Sequence, residues 1–453
     1  MKTVVAISTA PGNAGIGIVR LTGKESFEVI KKIFKAKNSS KIKGYQMKYG
    51  YILDSKGDVV DEVLVSYFVS PKSYTGENMC EINSHGNNLV LKKILELCIE
   101  NGAKIAEPGE FTKRAYLNGR IDLSQAEAVI ELINSKSELE RKNAIKNLEG
   151  ELSKDVKKIK KDILEILSNI EVSIDYPEYD IEETANEKIK KNTLTIIESL
   201  KKLERTFENG KILRDGVSIA IVGRPNAGKS SLLNKILREE RAIVTDIEGT
   251  TRDTIEEYIN IRGIPFKIID TAGIRDSNNA IEKIGIEKSK EVLKQADVVL
   301  AIFDITKKLE KEDYEILEEI KEKKTIILLN KKDLKERKLE IDVIKKYKKD
   351  NILEISVKED NVEIIYDKLE EMFNIDKIDL ENNSIITNLR HKKAIVEAEN
   401  SLVQAINTIK NQIPIDITAI YFKEAIDEIN KITGENVNED IINDIFSKFC
   451  LGK

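Results

Sequence analysis

At 453 residues the chain has room for roughly three domains of ordinary size. Its net charge of −5 and pI near 5.7 exclude a protein that coats nucleic acid by bulk positive charge, though not one with local basic patches. Apolar residues reach 41%, enough for buried cores, yet no run of 18 apolar residues occurs, which excludes a membrane-spanning helix.

In chain order, MKTVVAISTAPG carries one lysine and a short apolar stretch before Pro11, and it reads as a first strand rather than a signal peptide. GIGIVRL reads as a second strand. YQMKYGYIL and DEVLVSYFV, joined by a turn at Asp54–Asp58, read as a hairpin. Asn87 to Ile99 has helical periodicity and closes near Gly102. Cys80, Cys98 and Cys450 show neither CxxC spacing nor a disulfide framework, so a reducing cytoplasmic setting is expected.

From Asp122 the texture is helical. Ser124–Glu127 fits a capping box, and apolar residues recur at three- and four-residue spacing through AEAVIELI, KDVKKIKKDILEILSNI and NTLTIIESLKKL. The pattern breaks at Asp175-Tyr176-Pro177. The basic runs KKIKK (157–161) and RHKK (390–393) read as solvated faces, and His391 is given no role.

At Gly216 the pattern changes to continuous apolar strands: VSIAIVG, PFKIIDTAG, DVVLAIFD, KTIILLNKKD and ILEISVK, each followed by a polar loop or a helix. That alternation predicts a parallel sheet covered on both faces. After about residue 380 helices return. The expected fold class is multidomain α/β and all-α, with an α/β unit inserted into a discontinuous helical domain. The expected boundaries are 1–118, 119–212, 213–380 and 381–453.

The inserted unit carries the chemistry. Gly223 to Ser230 reads GxxxxGK[ST] between a strand and a helix, the pattern of a loop whose backbone N–H groups surround phosphates. Asn226, Ala227, Gly228, Lys229, Ser230 and Ser231 are its candidate nucleotide contacts; Lys229 supplies charge to the phosphates and Ser230 a Mg²⁺ ligand. Asp270-Thr271-Ala272-Gly273 ends the next strand, where a carboxylate behind Mg²⁺ and a γ-phosphate sensor belong. Asn330, Lys331 and Asp333 end another, and Asp333 accepts from guanine N1 and N2, a pairing that rejects adenine by roughly 10⁴–10⁵. Ser356-Val357-Lys358 suits base-edge contacts. Thr251, in the polar stretch with Gly249 and Thr250, is the second candidate Mg²⁺ ligand. Five elements in this order read as a GTPase. Ile274 follows the DTAG run, where Ras-like enzymes place a water-orienting glutamine.

GRPNAGKSSLLN, TDIEGTTRD, DTAGIR, the run Glu282–Glu287 and the terminal FCLGK together resemble the MnmE (TrmE) tRNA-modification GTPase family over essentially the whole chain. The resemblance implies an N-terminal α+β tetrahydrofolate-binding-like domain that forms a constitutive homodimer, and an inserted Ras-like P-loop domain. It implies K⁺ held by Asn226, Thr245, Ile247 and Thr250, with Asp246 and Glu248 in the same nucleotide-binding loop, and Glu282 positioning the attacking water. It assigns folate contacts (5,10-methylene-tetrahydrofolate, or 5-formyl-tetrahydrofolate as its analogue) to Arg20, Glu81, Arg120 and Lys453. The partners implied are an FAD-dependent MnmG (GidA)-type protein in a heterotetramer and tRNA, in the cytoplasm and away from membranes. The implied reaction adds an aminomethyl or carboxymethylaminomethyl group at C5 of the wobble uridine of certain tRNAs. The chain departs from the family pattern at Gly12-Asn13-Ala14-Gly15, at Asn87 after His85-Gly86, and at Val357, where alanine is usual.

CLGK occupies the place of a prenylation box, but Gly452 is not aliphatic and Lys453 is a poor last residue. The stripe Ile441, Ile442, Ile445, Phe446 and Phe449 predicts that this end docks into the helical domain. By its local residues Cys450 is either an apolar helix-end cysteine or a working thiol; the resemblance sends it to the folate pocket between subunits, in an active-site role. A ribosome-assembly GTPase and a dynamin-like membrane GTPase are the rival readings. The first lacks a folate domain, and the second needs an apolar or polybasic patch.

Overall fold

The computed structural model describes residues 1–38, 42, 44–175, 182–239, 257–269, 293–359, 362–375 and 384–452. Two compact units emerge: Met1–Ile130 with Asn147–Ile196 and Glu397–Lys453, and Glu131–Lys146 with Ile197–Val396.

In the first unit, β1 (Val4–Ile7), β2 (Ala14–Thr22), β3 (Phe34–Ala36), β4 (Gln46–Leu53), β5 (Val59–Phe68), β6 (Met79–Gly86) and β7 (Lys104–Ile105) form one sheet in the order β3-β4-β5-β6-β2-β1-β7. Its pairings are antiparallel except β1 with β7. Alternating apolar residues such as Val19, Leu21, Val63, Val65 and Ile82 bury one face against α1 (Ser26–Ile33) and α2 (Asn88–Glu100). The expected hairpin is β4–β5, its turn held by Asp54 Oδ1 accepting from Lys56 N and Asp58 N, both at 2.9 Å. Asn87 caps α2 by accepting from Leu89 N.

The helices α3 (Glu110–Leu117), α4 (Leu123–Asn134), α5 (Glu138–Leu148), α6 (Glu151–Asp175) and α7 (Glu182–Asp215) follow; Tyr176 and Pro177 of the expected break lie outside the described residues. The capping box sits two residues earlier than expected. Asp122 Oδ1 accepts from Gln125 N at 3.1 Å and Gln125 Oε1 accepts from Asp122 N at 3.0 Å, while Ser124 donates to Asp122 and Glu127 is buried inside the helix. Aspartate and glutamine serve the reciprocal cap as well as serine and glutamate, and Asp122 directly precedes the first apolar residue.

The second unit holds β8 (Val217–Val222), β9 (Glu257–Ile261), β10 (Ile264–Ile268), β11 (Val298–Asp304), β12 (Thr325–Asn330) and β13 (Ile352–Glu354), ordered β13-β12-β11-β8-β10-β9. The strands are parallel apart from β9–β10. β9 is an addition: the sequence reading placed no strand on EYINI, which pairs with β10 through a two-residue turn with Arg262 at φ 52° and Gly263 at φ 86°. Arg262 ties this turn to Glu363 and Asp367. A Cβ on Gly263 would stand 2.8 Å from Leu139 of α5, and Lys136 lies 3.6 Å from the Tyr258 ring centroid.

Both sheet faces are covered, one by α8 (Lys229–Glu239) through Leu232, Leu233 and Ile236, the other by α9 (Lys311–Glu319) and α10 (Ile341–Tyr347) through Leu317 and Ile344. α11 (Glu363–Phe373) adds Ile365, Leu369 and Phe373 to the first face. Then come α12 (Leu389–Lys410), α13 (Ile415–Thr433) and α14 (Glu439–Ser447).

Of the two basic runs, KKIKK has Lys157, Lys158 and Lys161 exposed as expected, whereas RHKK is not a plain solvated face. His391 is buried and Lys392 stacks 4.6 Å from the Phe207 ring centroid; Ile159 is buried and Lys160 pairs with Glu435. The stripe on α14 also needs correction. Ile442, Phe446 and Phe449 are buried and Ile445 partly so, against Ala115, Leu123, Ala126 and Val129, but Ile441 is 46% exposed. It lies one step of about 100° round the helix from Ile442, off the buried line. Among the described residues no helix is long and apolar enough to cross a membrane.

Candidate functional site

β8 delivers the chain into the loop Gly223–Gly228 at the C-terminal edge of the parallel sheet, where ligands of such sheets bind. A side chain is excluded twice in this loop. A Cβ on Gly223 would strike the Ile302 carbonyl oxygen, and one on Gly228, at φ 116°, would strike the Asn330 amide nitrogen. Asn226 is exposed with φ 64°, at the turn of the loop. α8 then starts at Lys229, so its N-terminal N–H groups and partial positive charge sit at the loop's exit. Lys229 Nζ donates to the Gly223 and Arg224 carbonyls at 2.6 and 2.9 Å. Burial lowers its pKa, against the opposing charge of Glu312.

Asn330, buried at the end of β12, fastens three segments together. Its Nδ2 donates to Ala227 O at 2.7 Å and its Oδ1 accepts from Val357 N at 3.0 Å. The phosphate loop, the Asn330–Asp333 segment and the Ser356–Lys358 segment thus share one amide. Ser356 is buried and its Oγ accepts from Glu359 N, while Lys235 Nζ of α8 donates to Val357 O at 3.0 Å. Lys331, at φ 73°, reaches Asp304 Oδ2 at 2.5 Å. Burial pushes the Asp304 carboxyl up, but Lys331 and the Thr306 N–H and hydroxyl outweigh it and hold the carboxyl below its ordinary range. Asp333, Lys358 and Ser231 are exposed, and Ser230 is half-buried.

Arg224, to which the sequence reading gave no part, belongs to this network. It pairs with Glu310 at 2.6 Å and Asp313 at 3.1 Å at the start of α9. Its signal in the sequence was only its place in the phosphate-loop motif. Thr245, Asp246, Ile247, Glu248, Gly249, Thr250, Thr251, Asp270, Thr271, Ala272, Gly273, Ile274, Glu282 and Lys453 lie outside the described residues.

The first unit gathers a second constellation. Arg20 on β2 and Glu81 on β6 are cross-strand neighbours, and Nε and Nη2 of Arg20 each approach Glu81 Oε1 at 2.8 Å. Arg20 Nη1 also donates to Gly452 O at 3.0 Å, and Ser8 Oγ donates to the same carbonyl at 3.1 Å. Gly452 has φ 87°, and a Cβ there would stand 2.5 Å from Ile7 O, so only glycine seats the tail without strain. Arg20 lies 5.7 Å from the Phe111 ring centroid and Arg120 lies 4.9 Å from that of Tyr74. Burial raises the Tyr74 pKa; a hydrogen bond with Thr112 and the charges of Arg120 and Arg20 oppose it. Arg20, Glu81 and the tail therefore meet directly, and Arg120 joins through Tyr74. Cys450 is exposed, whereas Cys80 and Cys98 are buried, with burial pushing the Cys98 thiol up to about 12. Cys450 is therefore the accessible thiol of the three.

Residues 3–120 match the family model described as GTP-binding protein TrmE N-terminus, and residues 123–450 that of the MnmE helical domain. The tRNA modification GTPase MnmE of Clostridioides difficile (strain 630) is 47% identical over 457 residues, covering 100% of this chain and 99% of its own length. That of Acetivibrio thermocellus is 46% identical over 454 residues, with the same coverage. Among solved structures, the FeoB G-domain from Methanococcus jannaschii is 23% identical, covers 35% of this chain and 98% of its own, and has a TM-score of 0.25. On full-length identity at this level, the chain is a GTPase and belongs to the MnmE (TrmE) family of tRNA modification GTPases.

Proposed function

We propose that this GTPase works with K⁺ and Mg²⁺ and serves, with an FAD-dependent MnmG-type partner, the addition of an aminomethyl or carboxymethylaminomethyl group to C5 of the wobble uridine of certain tRNAs. The observation that carries the reading is Asn226, exposed at the turn of the phosphate loop beside the start of α8. The loop N–H groups and Lys229 would hold the phosphates, Asp333 the guanine edge, and Ser230 with Thr251 the Mg²⁺. Asn226, Thr245, Ile247 and Thr250 would hold K⁺; amide, hydroxyl and carbonyl oxygens are the hard donors such an ion takes. When bound, the ion supplies the positive charge that other GTPases take from an arginine finger. Glu282 orients the attacking water, a task Ile274 cannot perform.

In the first unit, Arg20, Glu81, Arg120 and Lys453 would hold a tetrahydrofolate, the carrier of the transferred carbon. Two guanidinium groups beside the rings of Phe111 and Tyr74 suit an anionic tail and a flat heterocycle. Glu81 accepts from amino and ring N–H groups. Cys450 stands at this site in an active-site role. The division at 1–118, 119–212, 213–380 and 381–453 belongs to the same reading: a tetrahydrofolate-binding-like domain through which the chain dimerises, a discontinuous helical domain, and a GTPase domain. Hydrolysis drives pairing and release of GTPase domains within a heterotetramer that acts on tRNA in the cytoplasm.

GTP turnover in K⁺ against Na⁺ tests it. Turnover rises strongly in K⁺, and Asn226→Ala removes the difference; equal rates in both salts refute the ion-assisted mechanism. Binding of 5-formyl-tetrahydrofolate to the full chain, weakened by Arg20→Ala, tests the folate site separately.

A further inference from the structure

Within the phosphate loop, Arg224 is bonded in two directions. Its guanidinium is 18% exposed and meets three carboxylates at the start of α9: Glu310 at 2.6 Å, Asp313 at 3.1 Å and Glu312 at 3.8 Å. Its carbonyl accepts from Lys229 Nζ at 2.9 Å and from Ala227 N at 3.3 Å. Asp313 is itself buried and pinned, because its Oδ2 also accepts from Glu310 N at 2.9 Å in the capping box of α9. One residue thus joins the cap of a helix to the lysine that meets the phosphates.

We propose that Arg224 is a positioning residue for nucleotide binding: anchored on the cap of α9, it fixes the loop backbone that aims Lys229. The inference rests on the GTPase reading. Charge decides between this role and direct phosphate contact. A guanidinium already facing three carboxylates is neutralised and has no net charge to offer a triphosphate. Its second effect is to shield the nucleotide from those carboxylates. Without Arg224 the buried Asp313 keeps an uncompensated negative charge beside an anion site, and the glycine-containing loop must be ordered by the ligand instead of in advance.

The roles separate in kinetics. Arg224→Ala in the full chain raises KM for GTP and weakens binding of a fluorescent GDP analogue roughly 10- to 100-fold, with a much smaller change in kcat. Arg224→Lys keeps a charge for Asp313 but loses the fork, and recovers part of the affinity. Asp313→Asn still accepts from Glu310 N but sheds the charge. Combined with Arg224→Ala, it restores a share of what Arg224→Ala lost, because the unpaired carboxylate is gone. Should Arg224→Ala not fold, Arg224→Lys decides alone, weakening GDP in the folded chain because the fork to Glu310 and Asp313 is lost. The inference is overturned by unchanged GDP affinity and KM in these variants, by a fall confined to kcat, or by strictly additive losses in the double variant. K⁺ stimulation of kcat persists in Arg224→Ala, so its absence from the unsubstituted protein counts against the ion-assisted mechanism and leaves this inference standing.

Discussion

The phosphate loop and the Arg20–Glu81–Gly452 cluster are the two candidate sites, and they are built on different principles. The loop is almost entirely backbone, held by one buried amide from Asn330 and by the lack of any side chain at Gly223 and Gly228. The second cluster is side-chain chemistry on a sheet face, assembled when the tail lays Gly452 against Ile7 and Ser8. A backbone site fails when its fastening is cut. A side-chain site fails when one of its distant contributors is withdrawn.

The largest expected effect breaks one site and spares the other. Lys229→Ala lowers GTP turnover by roughly 10²–10³, the scale of one lost electrostatic contact at a transition state, while tetrahydrofolate-analogue binding by the same protein is unchanged. Next comes the fastening. Asn330→Ala leaves the Ala227 carbonyl and the Val357 N–H without their partner, about 1–3 kcal/mol for each group left unsatisfied. Calorimetry then shows guanine-nucleotide affinity down roughly 10- to 100-fold.

A third test concerns stability instead of ligands. Glu140 of α5 is buried, and burial raises its pKa from 4.5 to about 7, with the charge of Glu131 adding and hydrogen bonds from Lys136 and Ser137 opposing. The folded chain keeps a proton that the unfolded chain releases, so this group's contribution is greatest at low pH. It falls as pH rises from about 4.5 to about 7 and is constant beyond. Glu140→Gln flattens that window and stabilises the protein at pH 8 by about 1–3 kcal/mol, read by denaturant melts. The smallest effect tests the tail. Gly452→Ala costs about 1–2 kcal/mol through its left-handed backbone and its contact with Ile7. The alkylation rate of Cys450 rises several-fold, and GTP turnover stays as it was.

How legible each region was follows from the same contrast. The phosphate-loop motif is eight consecutive residues, Gly223–Ser230, running from the end of a strand into a helix, so the sequence displays it whole even though Asn330 fastens it from 103 residues away. Arg20 and Gly452 are 432 residues apart, and nothing local announces that they meet; resemblance to a family pointed to Arg20, and the contact itself appeared only in three dimensions. The misreadings are of intermediate range. EYINI is too short to stand out as a strand, and its pairing with β10 decides it. The cap of α4 slipped by two residues because Asp122 and Gln125 offer the same reciprocal chemistry as the serine and glutamate beside them. His391, inside a basic run, is buried by helices whose packing no charge pattern records.

The close seat of the β9–β10 turn has a mechanical meaning. A methyl group on Gly263 would press on the Leu139 side chain, and Lys136 rests on Tyr258, so the sheet edge and the start of α5 are in close contact. A displacement of that hairpin larger than the Leu139 side chain can take up is handed on to α5, as a lever hands on the movement of its short arm.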